Sequence, residues 1–320
     1  MTRTNDKVRV AAIGCGYFGS LHAQKYAALD AADLVGVCDI DRKAATATAE
    51  KTGSTPYTDI SDLFGKVDAV TVAVPTSDHF EVASAFLENG VDVLIEKPIC
   101  STLEEADALI ALAAKQDRIL QVGHLERFSP IMEALNEEVT KPGYIESHRI
   151  SQYRGRGTDT TVILDMMIHD IDHILHMVGA PIEQVDAVGV PVISPAEDIA
   201  NARLRFANGC VATVTASRVS WKIQRTMRIF QRNAYIVANM AENKMTITRR
   251  TGGDDGEPLT LGAEQREFEQ VDLLLRQADS FLKCVATRSQ PLVTGAGVRP
   301  VLEAALTITD QLREWHRRAI

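Results

Sequence analysis

Val8-Arg9-Val10-Ala11-Ala12-Ile13-Gly14-Cys15-Gly16-Tyr17-Phe18-Gly19 is an apolar run that ends on three spaced glycines. The run reads as a strand, and residues 20–29 carry a helical pattern. A strand that enters a helix through G-x-G-x-x-G is the dinucleotide-binding fingerprint. In that reading Gly14 makes the tight turn and Gly16 lets the backbone approach a pyrophosphate. Gly19 lets helix and strand pack closely, and the helix N-terminus faces the phosphates. Tyr17 and Phe18 fill the variable positions and count with the cofactor-binding residues. Asp39 stands 20 residues after Gly19, at the end of a second apolar run. A carboxylate there accepts hydrogen bonds from the adenosine ribose and repels a 2′-phosphate, so NAD is expected rather than NADP. Arg42, three residues on, is the one feature that could blunt this preference. The competing reading is a glycine-rich turn without a ligand. The agreement of strand, glycines, helix and acid argues against it.

Outward from this motif, apolar runs at 8–13, 34–38, 69–74, 91–95 and 119–122 alternate with helical stretches at 20–29, 42–51, 80–89 and 103–115. Strands apolar along their whole length belong to a parallel sheet covered on both faces. Residues 1–122 therefore read as a doubly wound α/β domain. The pattern changes at Gly123. Period-2 alternation begins at 144–152, and a strong helix follows at 162–178. Strand-like runs then flank the hairpin signal Ala207-Asn208-Gly209 and recur at 226–231, 234–239 and 244–249. A Gly- and Asp-rich loop at 251–258 precedes helices at 272–287 and 298–316. Residues 123–320 read as an α+β domain, a mostly antiparallel sheet with helices on one face.

Composition excludes several classes of function. The 320 residues carry 34 Lys and Arg against 43 Asp and Glu, a net charge of −9. Such a surface does not neutralise nucleic-acid phosphates. No apolar run approaches the roughly 18 residues of a membrane span. The polar N-terminus has no hydrophobic leader, so a cytoplasmic protein is expected. The five cysteines, Cys15, Cys38, Cys100, Cys210 and Cys284, are scattered and contain no C-x-x-C pair, which argues against a disulfide framework or a zinc site.

Two further stretches carry chemistry. Glu96-Lys97-Pro98 ends the fifth strand, and Pro75-Thr76-Ser77-Asp78-His79 ends the fourth, at the sheet edge where ligands of open α/β sheets bind. A lysine there can donate to a substrate oxygen; its ordinary alternative is a surface loop lysine. On the helix at 162–178, Asp165, His169 and Asp172 fall at i, i+4 and i+7, on one face. His173 and His176 lie close to it. Three readings compete: a solvated polar face, a metal site at Asp165, His169 and His173, and a general base at His169 oriented by Asp165.

The three motifs, in this order and over most of the chain, resemble the Gfo/Idh/MocA oxidoreductases. The resemblance implies a Rossmann domain followed by a domain with a large open sheet. It also implies NAD(P)-dependent chemistry on sugars and cyclitols without a metal. It places the catalytic lysine at Lys97, the acid at Asp165 and the histidine at His169, which favours the general base over the metal. Pro75, Thr76, His79, Glu96, Lys97 and His124 then belong to the cofactor side, and Lys97, Arg127, Asp165 and His169 to the substrate. Val122–Pro130 and Leu164–Asp172 look most like members that oxidise UDP-N-acetylglucosamine at carbon 3, on a route to amide-linked lipid A. Inositol 2-dehydrogenases are the rival within the family. His124 departs from the Asn that many relatives carry. A nucleotide sugar needs cations for its diphosphate, and Arg149, Arg154 and Arg156 are the candidates. The other classes considered are a noncatalytic NAD sensor, against which Lys97, Asp165 and His169 together speak, and a metal-dependent hydrolase or lyase. An open antiparallel sheet face leaves apolar surface to cover, so a homodimer or homotetramer is expected.

Overall fold

Strands β1 (Val8–Ile13), β2 (Ala32–Cys38), β3 (Thr55–Tyr57), β4 (Ala69–Val72), β5 (Asp92–Ile95) and β6 (Leu120–Val122) form one parallel sheet in the order β3-β2-β1-β4-β5-β6. The structure, a computed structural model, describes residues 7–153, 161–251 and 260–319. Helices α1 (Tyr17–Ala28), α2 (Arg42–Thr52), α3 (His79–Glu88) and α4 (Leu103–Lys115) connect the strands. The reversal of strand order between β1 and β4 is the doubly wound switch point expected from the alternation. β4 and β5 are buried residue by residue, as a sheet covered on both faces requires.

This sheet belongs to a compact unit of Met1–Phe128 together with Asp272–Arg299. The sequence reading ran the second domain unbroken from Gly123, whereas the chain returns here late. Helix α5 (Pro130–Glu138) follows the first segment, and α7 (Leu273–Thr287) comes back to it, after the α6 described below. α7 lays Ala278, Phe281, Leu282 and Val285 in one core with Val8, Val10, Tyr26 and Leu94. Its apolar stripe covers a sheet face that would otherwise meet water.

The second unit, Ser129–Val271 with Pro300–Ile320, holds an eight-stranded sheet. Its strands are β7 (Pro142–Ile150), β8 (Ile182–Val190), β9 (Ile199–Phe206), β10 (Val211–Ser217), β11 (Gln224–Gln231), β12 (Ala234–Asn239), β13 (Lys244–Thr251) and β14 (Thr260–Glu267). They run in the order β14-β13-β12-β11-β7-β10-β9-β8, and only β7 and β10 pair in parallel. The fold class is thus the expected one. β9 and β10 form the hairpin signalled by Ala207-Asn208-Gly209. β14, exposed along nearly its whole length, was not legible: an edge strand with no buried face has no apolar alternation to read. Helix α6 (Ile168–Val178) packs on β7 and β10, and α8 (Gly295–Ala319) reaches β8, where Gln311 donates to the Val185 carbonyl at 2.9 Å. The opposite face carries stacked Tyr144, Phe230 and Tyr235 with centroids 5.6 and 4.7 Å apart, among Glu146, His148 and Arg228. Among the described residues, no helix is long and apolar enough to cross a membrane.

One buried carboxylate fastens the loop between β8 and β9. Asp198 accepts from the Val192, Ile193 and Ser194 N–H groups at 2.8, 2.6 and 2.9 Å, from Ser194 Oγ, and from Arg218 Nε at 2.8 Å. Burial alone would raise its pKa; these donors hold it well below the usual carboxylate range. Asp198→Ala removes the carboxylate that pairs with the buried Arg218 guanidinium and costs about 3–5 kcal/mol at neutral pH, read from the urea midpoint. Because the folded pKa is depressed, this contribution is complete above the ordinary carboxylate value of about 3.9. It is lost as the pH falls through the folded value, so the gap between variant and wild type closes only in strong acid.

Candidate active site

The glycine motif is a turn with a local reason for each glycine. Gly14 has φ +88°, and a Cβ there would stand 2.5 Å from the Ala73 carbonyl oxygen. A Cβ on Gly19 would strike the Gly14 carbonyl, which lets α1 start directly against the turn. A Cβ on Gly16 would meet nothing within 4 Å, so the space outside it is open. Gly16 caps α1 without a side-chain hydrogen bond, and the first turn holds no acid. The first N–H groups of α1 therefore need an external acceptor, and a pyrophosphate supplies one. Tyr17 and Phe18 are exposed on this turn and pack edge to face, centroids 5.3 Å apart.

Asp39 ends β2 beside the turn. Its Oδ2 accepts from the Cys15 N–H at 2.7 Å and its Oδ1 from the Asp41 N–H at 2.8 Å. Two backbone donors fix the carboxylate and leave lone pairs for two ribose hydroxyls. Arg42 is exposed at the start of α2. These residues fit NAD: an open cradle, an uncapped helix start and an anchored ribose acceptor. Asp39→Asn keeps one acceptor but removes the charge. Loss of charge-assisted bonds raises the Kd for NADH by about tenfold or more. The Kd for NADPH falls, and fluorescence titration reads both.

The loops after β4 and β5 bring the next residues together. Pro75 and Thr76 lead a 3-10 turn, and the Thr76 carbonyl accepts from Ser101 Oγ at 3.3 Å. His79, placed on the cofactor side by the sequence, is buried between the two loops. It is 1% exposed, and its ring nitrogens lie 2.9 Å from the Pro98 carbonyl and 3.1 Å from the Val74 carbonyl. Burial lowers its pKa and favours the neutral ring, whose single N–H donates to one of these two carbonyls. Glu96, also placed there, is buried, with His22 at one oxygen and the Lys97 N–H at the other. Lys97 itself is half-buried and precedes a cis Pro98. His124 and Arg127 are buried just after β6, where the Arg127 N–H donates to the His124 carbonyl at 3.1 Å.

In the second unit the polar helix differs from its sequence reading. Residues Ile163–Met167 form a π turn before α6, and the Ile168 N–H reaches back to the Ile163 carbonyl. This wider turn changes the α-helical spacing counted from Asp165 to His169, while His169 and Asp172 both stand in regular α6, three residues apart. Asp165 and His169 are half-buried, Asp172 and His173 are buried, and His176 is exposed. Among the described residues, no group of three His, Cys, Asp or Glu is gathered to hold a metal, so Asp165, His169 and His173 do not form that cluster. Arg149 was a candidate for a substrate diphosphate. It is instead buried against Asp170, with Nε and one terminal nitrogen 3.0 and 3.1 Å from the carboxylate oxygens. This pair ties β7 to α6 one residue beyond His169. Arg154 and Arg156 lie outside the described residues. The sequence reading missed His22, though the signal existed: Gly19, His22, Ala23 and Tyr26 form the buried face of α1.

Comparisons with known proteins agree with this layout. A family model described as an oxidoreductase family with an NAD-binding Rossmann fold matches residues 8–124, and the GFO/IDH/MocA C-terminal domain matches 141–237. UDP-N-acetylglucosamine 3-dehydrogenase of Acidithiobacillus ferrooxidans is 35% identical over 94% of this chain and 96% of its own length. Its solved structure superposes with a TM-score of 0.91, covering 96% of this chain and 98% of that one. Myo-inositol 2-dehydrogenase of Thermotoga maritima is 28% identical over 96% of this chain and 97% of its own length. Scyllo-inositol dehydrogenase of Lactobacillus casei, solved with NAD(H) and scyllo-inositol, is 19% identical, covers 97% of this chain and 98% of its own, and shares the fold at a TM-score of 0.82.

Proposed function

Because the chain belongs to the GFO/IDH/MocA oxidoreductase family, with an NAD-binding Rossmann domain, we propose that it oxidises carbon 3 of UDP-N-acetylglucosamine to a ketone. The observation that carries this reading is the 35% identity, over nearly both full lengths, to the A. ferrooxidans enzyme of that activity. NAD, when bound, supplies the hydride acceptor. His169 takes the hydroxyl proton as the carbon gives up its hydride. Lys97 donates to the same oxygen and offsets its developing negative charge. Asp165 orients His169 or the neighbouring hydroxyl. Arg127, Arg154 and Arg156 are the proposed partners of the sugar and its diphosphate; Arg149 is not, since Asp170 already holds it. The ketone then serves an aminotransferase in lipid A assembly, in the cytoplasm. The open face bearing Tyr144, Phe230 and Tyr235 makes the homodimer or homotetramer contact.

NADH formation with UDP-N-acetylglucosamine, N-acetylglucosamine and myo-inositol tests this reading. Because the ketone is disfavoured, mass spectrometry of the product or a coupled aminotransferase pulls the reaction forward. Turnover with the UDP-sugar alone is the expected result. Turnover with myo-inositol keeps the mechanism and discards the substrate.

A further inference from the structure

Glu96 sits beside Lys97 at the end of β5, buried, with no step of the reaction assigned to it. Its Oε1 lies 2.7 Å from His22 Nε2, and its Oε2 accepts from the Lys97 N–H at 3.3 Å. Burial alone would raise its pKa; His22 and Lys97 outweigh that and keep it a carboxylate. His22 is fully buried, and its Nδ1 has no hydrogen-bond partner. The ring proton therefore belongs on Nε2, aimed at Glu96. Gly123 makes room for this carboxylate, because a Cβ there would stand 2.8 Å from Oε2. A charge is costly inside a protein unless its donors are in place, and here each oxygen has one. The two donors come from different places: one from the middle of α1, the other from the backbone of Lys97.

We propose that His22 and Glu96 are positioning residues that fix the Lys97 backbone to α1, the helix whose N-terminus faces the cofactor phosphates. The proposal rests on the reading of Lys97 as donor to the reacting oxygen. Cofactor cradle and amine then share one frame, and a small displacement of Lys97 costs rate without costing cofactor affinity.

Three variants of the full chain test this. Glu96→Gln keeps the shape, but its amide can satisfy only one of the two donors that Glu96 accepts from. His22→Leu removes the donor to Oε1. His22→Gln restores a side-chain N–H at the position of Nε2. In Glu96→Gln and His22→Leu, kcat falls by about thirtyfold to a hundredfold, while the KM and Kd for NAD(H) stay within about threefold. His22→Gln retains most of the turnover. Hydrogen exchange of the peptide spanning residues 96–100 needs no substrate: it accelerates in His22→Leu and stays near wild type in His22→Gln. Wild-type kcat in His22→Leu, or equal losses in the Leu and Gln variants of His22, overturns the proposal. If the wild type oxidises none of the sugars, the functional reading fails, and the exchange data still decide whether the brace exists. Unchanged exchange in His22→Leu overturns it independently. A His22→Leu chain that does not fold leaves the decision to Glu96→Gln, where a parallel loss of NADH affinity and kcat overturns it.

Discussion

Lys97→Ala lowers turnover by about a thousandfold and leaves NADH bound with near-native affinity. The asymmetry follows from the roles proposed above. In the proposed reading the phosphates would meet the first turn of α1 and the ribose would meet Asp39, both remote in sequence from Lys97. The Lys97 amine is needed only when the substrate oxygen gains charge. An interaction made only in the transition state changes kcat and kcat/KM together and leaves cofactor binding alone. Lys97→Arg separates charge from geometry, because the planar guanidinium cannot reproduce a point donor; it recovers little activity. Paired fluorescence titration and initial rates read this result. A loss of NADH affinity as large as the loss of rate would move Lys97 from the reaction to the cofactor cradle.

What the sequence disclosed, and what it hid, divides along physical lines. The Rossmann half was legible because its signals are local: glycines at fixed offsets, one acid after the second strand, and strands buried on both faces. Gly14, Gly16 and Gly19 line the turn from β1 into α1, and Asp39 stands beside it at the end of β2. Contacts set by distant partners were not legible. Glu96 and His79 look like site residues from their place after strand ends, but Glu96 is buried against His22, 74 positions away, and His79 is buried between the Pro98 and Val74 carbonyls. Arg149 looks like an anion binder until Asp170 closes on it. Periodicity also assumes one helix type. A π turn spans Ile163–Met167, so the α-helical spacing counted from Asp165 to His169 does not hold there, and Asp172 is buried where Asp165 and His169 are half-buried.

That same turn motivates the second large prediction, His169→Asn. π turns are rare and, where they occur, frequently lie at functional sites. Here one spans Ile163–Met167, with Asp165 inside it, up to the start of α6, and the Arg149–Asp170 pair anchors the residue after His169. A helix fastened on its buried side and widened just before His169 is suited to holding that imidazole still. General-base removal costs about a hundredfold to ten-thousandfold in kcat. Asparagine keeps polarity and most of the volume, and His169 is only half-buried, so the fold and NADH binding persist. A lost base leaves two signatures that a lost contact does not. The deficit shrinks as the pH rises, because solvent base takes over the proton, and added imidazole restores part of the rate in proportion to its unprotonated form. A deficit flat in pH and indifferent to imidazole would assign His169 to substrate binding and pass the proton to Asp165 or Lys97.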